Sequence, residues 1–321
     1  MIIINLEKFK IMNKIGIKGI GSYVPESFDC YDFKSNKFNL NDNFLNSKIG
    51  THRLSRKLPN EETSDMCVKA YEGLLNKIEL PKNIDCLIVV TQNPDRNGIP
   101  HTSSIIHRKL KLNDNCAVFD ISLGCSGYVY GLSIIESFMT NNRLSNGLLF
   151  TCDPYSKIIN KNDKNTSLLF GDAATVTFLS RENPRLTCQE MVFASRGIEG
   201  ASLNNDNGTL EMNGKAVFNF SATEVPKQIF NLLQNNSLTI DDIDLFIFHQ
   251  GSKFILDTLA RKLGIDKPKV ATNLFEQGNT VSSSIPLILE KHLQNNNHKK
   301  IIISGFGVGL SWASAILNRN I

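Results

Sequence analysis

None of the seven cysteines in this chain forms a CxxC pair, and none follows a zinc-binding spacing. That leaves no disulfide framework and no metal centre to expect. An odd count, with several cysteines inside apolar strand-like runs, reads as reduced thiols and points to a cytoplasmic protein. No apolar stretch approaches bilayer length. The apolar start at Met1–Leu6 is too short for a signal peptide, and Glu7 and Lys8 interrupt it at once. A net charge of +4, dispersed along 321 residues, gives no basis for nucleic-acid binding, though a local basic patch could still receive an acidic partner. No linker rich in Pro, Gly or Ser divides the chain, so a single compact body is expected. Tryptophan occurs once, as Trp312.

What is present centres on Cys125. Apolar, strand-like Ala117, Val118 and Phe119 lead towards it, and the helix-like spacing of Tyr128, Val129, Leu132 and Ile135 follows it. Small residues flank the thiol on both sides, as Gly124, Ser126 and Gly127. A cysteine where a strand hands over to a helix is a nucleophile candidate. The expectation is an accessible sulfur with its thiolate favoured by the positive end of the helix dipole.

Strand patterns fall at Ile15–Tyr23, Cys86–Thr91, Ala117–Ile121 and Gly147–Cys152, with helical patterns at Ser64–Ile78, Thr102–Lys109 and Gly127–Met139 between them. The second half repeats the order in outline. A short strand at Leu245–His249 is followed by a helix at Lys253–Leu263 and a brief strand at Val270–Thr272. A helix from about Val281 to Leu293 and strands at Ile301–Gly305 and Ser311–Leu317 complete it. Alternation of this kind predicts an α/β fold with parallel pairing. Cys125 and Asn279 each precede a helix at corresponding places, so facing halves would bring those helix starts to one site. The expected division is 12–185 and 186–321, with residues 1–11 as an extension.

Two further motifs join the cysteine. His249 closes the apolar run Phe246–Phe248, and Asn279 follows Gly278 at a helix start. With these three in order, the chain resembles the β-ketoacyl-acyl-carrier-protein synthase III family of the thiolase superfamily. The resemblance runs through stretches 19–26, 49–53, 169–175, 212–218 and 304–314. It implies a thiolase-like fold, two pseudo-duplicated α/β halves in a layered αβαβα body. It also implies a decarboxylative condensation: Cys125 takes an acyl group from a thioester, and His249 and Asn279 stabilise the enolate left when a malonyl-type extender loses carbon dioxide. The backbone N–H groups of Cys125 and Val308 would form the oxyanion hole, with Val308 standing where the family usually has glycine.

The family's coenzyme A contacts fall on Phe44, Lys48 and Lys164, where an Arg-to-Lys change loses the planar, forked donor. Ser252 replaces a usual asparagine and would alter any pantetheine contact. The implied partners are acyl-CoA and an acidic acyl carrier protein, the latter docking on Lys253, Arg261 and Lys262. No cofactor beyond the thioester substrates is implied. A homodimer is expected, paired through the edge Ala117–Ile121, with Ile99 on loop 92–102 shaping the partner's acyl pocket. Two other chemistries remain in view. Hydroxymethylglutaryl-type synthesis needs a general-base glutamate, and the neutral Gln92 at that place argues against it. Transfer of the acyl group from Cys125 to an amine or hydroxyl, for instance in a surface-polysaccharide pathway, is the alternative.

Overall fold

The computed structural model describes residues 14–30, 37–40 and 42–320, and the expected extension at residues 1–11 lies outside them. In chain order the first half holds β1 (Gly16–Tyr23), β2 (Ser27–Cys30), β3 (Arg53–Arg56), α1 (Thr63–Leu75), β4 (Cys86–Val90) and α2 (Thr102–Leu110). It continues with β5 (Ala117–Ile121), α3 (Gly127–Asn141), β6 (Asn146–Cys152) and β7 (Ala174–Ser180). The second half holds β8 (Leu186–Ser195), the short β9 (Leu203–Asn204) and β10 (Glu211–Met212), α4 (Gly214–Asn235), β11 (Leu245–Phe248) and α5 (Lys253–Leu263). The chain then passes through α6 (Ser284–His292), β12 (Lys300–Gly307) and β13 (Ser311–Arg319).

The nine long strands run β11-β12-β13-β8-β1-β7-β6-β4-β5. A single register pair, Ile17 with Leu186, joins β1 to β8. The order reads the same outward from that contact on either side: β1-β7-β6-β4-β5 in one direction, β8-β13-β12-β11 in the other, with the bridge Phe246–Val270 at the place of β5. The strand expected at Val270–Thr272 is only that bridge. Pro268 and the turn over Lys267–Lys269 leave too short a run for a ladder.

Apolar side chains sort into layers. One cluster joins α3 and α6 to both strand sets, β1-β7-β6-β4-β5 (the first sheet) and β8-β13-β12-β11 (the second), through Tyr128, Leu132, Ile135, Ile285, Ile288 and the inner faces of β4 and β12. A second packs α4 and α5 on the outer face of the second sheet, and a third packs α1 and α2 on the outer face of the first. The order is therefore helix, sheet, helix, sheet, helix. Burying a side chain such as Tyr128 or Ile135 contributes about 1.5–3 kcal/mol each. The central pair α3 and α6 is thus fixed from both sides; Cys125 lies two residues before α3, and Asn279 precedes the turn Val281–Ser283 that leads into α6.

Three long elements have no counterpart in the expected pattern: β7, β8 and α4. Every residue of β7 is buried, so no polar–apolar alternation marks it. Helix α4 carries Pro226 inside and Asn213 as its N-cap, which accepts a hydrogen bond from Ala216 N.

Candidate functional site

Cys125 sits at the end of the loop between β5 and α3, with Ser126 as the N-cap of α3. The glycines around it are required by close approach. A β-carbon on Gly307 would come within 2.7 Å of Cys125 Cβ and Sγ, and one on Gly305 within 2.6 Å of Cys125 O. Strand β12 of the second half therefore lies against the Cys125 elbow of the first, and Ser126 Oγ meets Ser311 Oγ at 2.7 Å across the join.

The sulfur differs from the expectation of an exposed thiolate. Cys125 is buried. That burial pushes its thiol up to about 12, although the backbone N–H groups of Val308 and of Cys125 itself reach the sulfur and act in the opposite direction. Desolvation outweighs the helix end here because the charge would have to form without water. The two N–H groups that favour the thiolate are those expected to form the oxyanion hole.

Asn279 is held on both sides of its backbone. Its N–H donates to Leu169 O and its carbonyl accepts from Gly171 N, each at 2.9 Å. Gly278 has φ +77°, and a β-carbon there would lie 2.4 Å from Leu54 Cδ2. A β-carbon on Gly171 would lie 1.8 Å from Gln277 O, so the stretch 169–172 serves to clamp this loop. Val281 N donates to Asn279 Oδ1 at 2.9 Å. With the carbonyl oxygen occupied, the amide NH2 remains to donate.

His249 follows β11, and its N–H donates to Ser304 O at 2.8 Å. Its Nδ1 lies 2.9 Å from Ser284 Oγ at the start of α6. Burial lowers the ring to about 3, against a smaller opposing effect of the Val281 backbone. The imidazole is neutral at any working pH, so it acts as a neutral donor or acceptor and carries no fixed charge.

Cys125, His249 and Asn279 line one cavity of about 350 Å³ together with Phe306, Gly307, Leu169 and Phe170. Its mouth is built by Phe44, Lys48, Lys164, Ser252, Phe218 and Phe254. Lys48 Nζ lies 3.4 Å from the Phe254 ring centre and Lys164 Nζ 4.8 Å from that of Phe44. Phe218 and Phe254 stack with centroids 4.7 Å apart. The apolar mouth beneath two ammonium groups was not foreseen, because Phe218 and Phe254 lie far apart in the chain.

Of the other expected residues, Ser252 reaches the cavity but its Oγ caps α5, accepting from Ile255 N at 3.3 Å. Lys253 pairs with Asp257 one turn on, which leaves Arg261 and Lys262 as the exposed cations of α5. Ile99 lies outside the cavity and is 85% exposed. β5 stands at the edge of the sheet with all five residues half-buried.

A buried carboxyl behind the site also escaped the sequence reading. Asp153 accepts from Gln92 N at 2.6 Å and from Ser282 Oγ at 2.5 Å, tying the loop after β4 to the loop that carries Asn279. Burial raises it to about 6, against the hydrogen bonds that lower it. Among the described residues no cluster of side chains could hold a metal ion, and no helix is long and apolar enough to cross a membrane.

Two family models match, those for 3-oxoacyl-[acyl-carrier-protein] synthase III at residues 119–197 and for its C-terminal part at residues 233–319. The β-ketoacyl-[acyl-carrier-protein] synthase III of Lactococcus lactis subsp. lactis is 31% identical, covering 94% of this chain and 98% of its own. That of Streptococcus mutans is 32% identical, covering 92% and 96%. The crystal structure of 3-oxoacyl-(acyl-carrier protein) synthase from Burkholderia xenovorans superimposes with a TM-score of 0.88 at 31% identity, covering 96% of this chain and 94% of that one.

Proposed function

The chain belongs to the β-ketoacyl-[acyl-carrier-protein] synthase III family, and we propose that Cys125, His249 and Asn279 divide the condensing reaction between them. The protein is a condensing enzyme of the acyl-transferring class. In the first half-reaction the Cys125 sulfur attacks the carbonyl carbon of an acyl thioester. The old carbon–sulfur bond breaks, and the thiol proton leaves with the departing thiol. Backbone N–H groups of Cys125 and Val308 hold the oxyanion. Both already point at the sulfur in the free enzyme, so they need no reorganisation.

In the second half-reaction a malonyl thioester enters past Phe44, Lys48, Lys164, Ser252 and the Phe218–Phe254 stack. Its thioester oxygen accepts hydrogen bonds from Asn279 Nδ2 and from His249 Nε2. The latter requires the ring proton on Nε2, the tautomer selected when Ser284 Oγ donates to Nδ1. Loss of carbon dioxide leaves an enolate that these two donors stabilise. Its carbon attacks the acyl carbon, the carbon–sulfur bond to Cys125 breaks, and the thiolate takes up one proton. A neutral His249 suits this role, since it donates without a charge that would hold the malonyl carboxylate in place.

The observation that carries the reading is the convergence of a sulfur, an oriented amide and a neutral imidazole on one cavity. A plain acyltransferase has no use for two donors placed beyond the nucleophile. The carrier-protein reading rests on the exposed Arg261 and Lys262 in the last turn of α5, the helix whose first turn brings Phe254 to that mouth; such cations would draw an acidic partner. We further assign the halves to 12–185 and 186–321, from the repeated strand order, and place the protein in the cytoplasm as a homodimer paired along β5. An edge strand left open is otherwise a site of unwanted pairing, and Ile99 would then reach the partner's acyl pocket. Carbon dioxide release from malonyl carrier protein, matched one for one by β-ketoacyl product and lost in Cys125→Ala, tests the function. Acyl transfer to an amine or hydroxyl without carbon dioxide release would replace it.

A further inference from the structure

Next to Cys125, beyond the residues that line the cavity, lie polar groups that the condensing chemistry does not use. A β-carbon on Gly124 would lie 2.5 Å from Gln92 Oε1, 2.8 Å from Val308 Cγ1 and 3.3 Å from Tyr155 Oη. Three side chains thus converge one residue from the nucleophile. Tyr155 belongs to the same apolar cluster as Cys125, with Leu169, Phe170, Leu203 and Val308 around it. Its phenol is buried and donates to Gln92 Oε1 at 2.8 Å.

This bond leaves a defined remainder. Gln92 Nε2 carries two N–H donors with no partner among the described residues, while Gln92 itself is only partly buried. The Tyr155 oxygen keeps its acceptor lone pairs. One residue on, Asn93 buries its amide nitrogen unpartnered. A hydrocarbon chain laid against these groups would cover the donors and give nothing back, which is the costly arrangement for a polar group. A hydroxyl would accept from Gln92 Nε2 and donate to Tyr155 Oη at once.

We propose that the Gln92–Tyr155 pair selects the acyl group loaded on Cys125, favouring a short acyl chain that carries a hydroxyl near the thioester over an aliphatic chain of the same size. The inference rests on Cys125 being the acyl acceptor, as argued above. It deepens that reading by naming the class of acyl donor. Sites built to hydrogen-bond a hydroxyl discriminate against the analogue lacking it far more strongly than apolar pockets discriminate by size.

The test compares two coenzyme A thioesters that differ only by hydroxyl against methyl, 3-hydroxybutyryl-CoA and isovaleryl-CoA. The rate of Cys125 acylation is read by intact mass. The wild-type enzyme should acylate at least about tenfold faster with the hydroxyl compound, the scale of one buried unpaired donor. Gln92→Met should lose or invert that ratio, and Tyr155→Phe should reduce it. The wild-type ratio stands alone should either variant fail to fold. Equal or faster acylation by isovaleryl-CoA in the wild type overturns the proposal while leaving Cys125 as acceptor. No adduct with either compound or with acetyl-CoA overturns the assignment of Cys125, and the inference falls with it.

Discussion

Ser284 Oγ lies 2.9 Å from His249 Nδ1, joining the first turn of α6 to the end of β11. The same hydroxyl is 2.9 Å from Val281 O, so its single proton has two acceptors in reach. When the proton goes to Nδ1, the ring keeps its own on Nε2. Ser284→Ala removes that choice and lets the other tautomer compete. Condensation should fall by about tenfold or more, while acylation of Cys125 by a short donor stays unchanged, a split that simple unfolding would not produce. Ser284→Thr, which keeps the hydroxyl, should restore part of the rate. Equal loss of both half-reactions in Ser284→Ala would assign the residue to packing alone.

Cys125 is predicted to be slow to react when free. Its thiol is pushed to about 12 by burial, so the thiolate fraction should grow about tenfold per pH unit across the neutral range. Alkylation by iodoacetamide, followed by peptide mass, should rise log-linearly from pH 6 to 9 without a plateau. A plateau near pH 7 would show that the helix end and the two N–H groups prevail over desolvation.

Asp153 and His249 pull stability in opposite directions with pH. Asp153 is raised to about 6 in the folded state, so its contribution is complete below its unfolded value near 3.8 and is lost as pH rises towards 6. His249 is lowered to about 3, so the cost of keeping it neutral grows as pH falls below 6.5. Replacing Asp153 by Asn removes the first slope and leaves the second. Tm should then rise more steeply between pH 4 and 6 in Asp153→Asn than in the wild type. Parallel Tm profiles would show that Asp153 ionises normally.

The elbow at Cys125, the strand end at His249 and the helix start at Asn279 were legible because each is a local event, a change of period next to small residues. Their meeting was legible only through the repeated order of the two halves. The Ser284–His249 bond, the Asp153–Ser282 bond and the Tyr155–Gln92 bond join residues 35, 129 and 63 positions apart, and no local pattern announces them. Ser284 in particular sits in a run of three serines that sequence cannot rank. The thiol's environment was misread for a related reason. A helix start is visible in the pattern, whereas the approach of β12 over the sulfur depends on glycines nearly two hundred residues away, at Gly305 and Gly307.

In the proposed division of labour, His249 and Asn279 act on the extender and not on the loading of Cys125. The most direct measurement follows both half-reactions in His249→Ala and Asn279→Ala, with acyl-enzyme read by intact mass and carbon dioxide release from malonyl carrier protein read in parallel. Loading should proceed at close to the wild-type rate, and carbon dioxide release should drop by about a hundredfold or more in each variant, the scale of one lost oxyanion donor. Normal carbon dioxide release in both, or loss of loading in step with it, would show that His249 and Asn279 do not serve the extender.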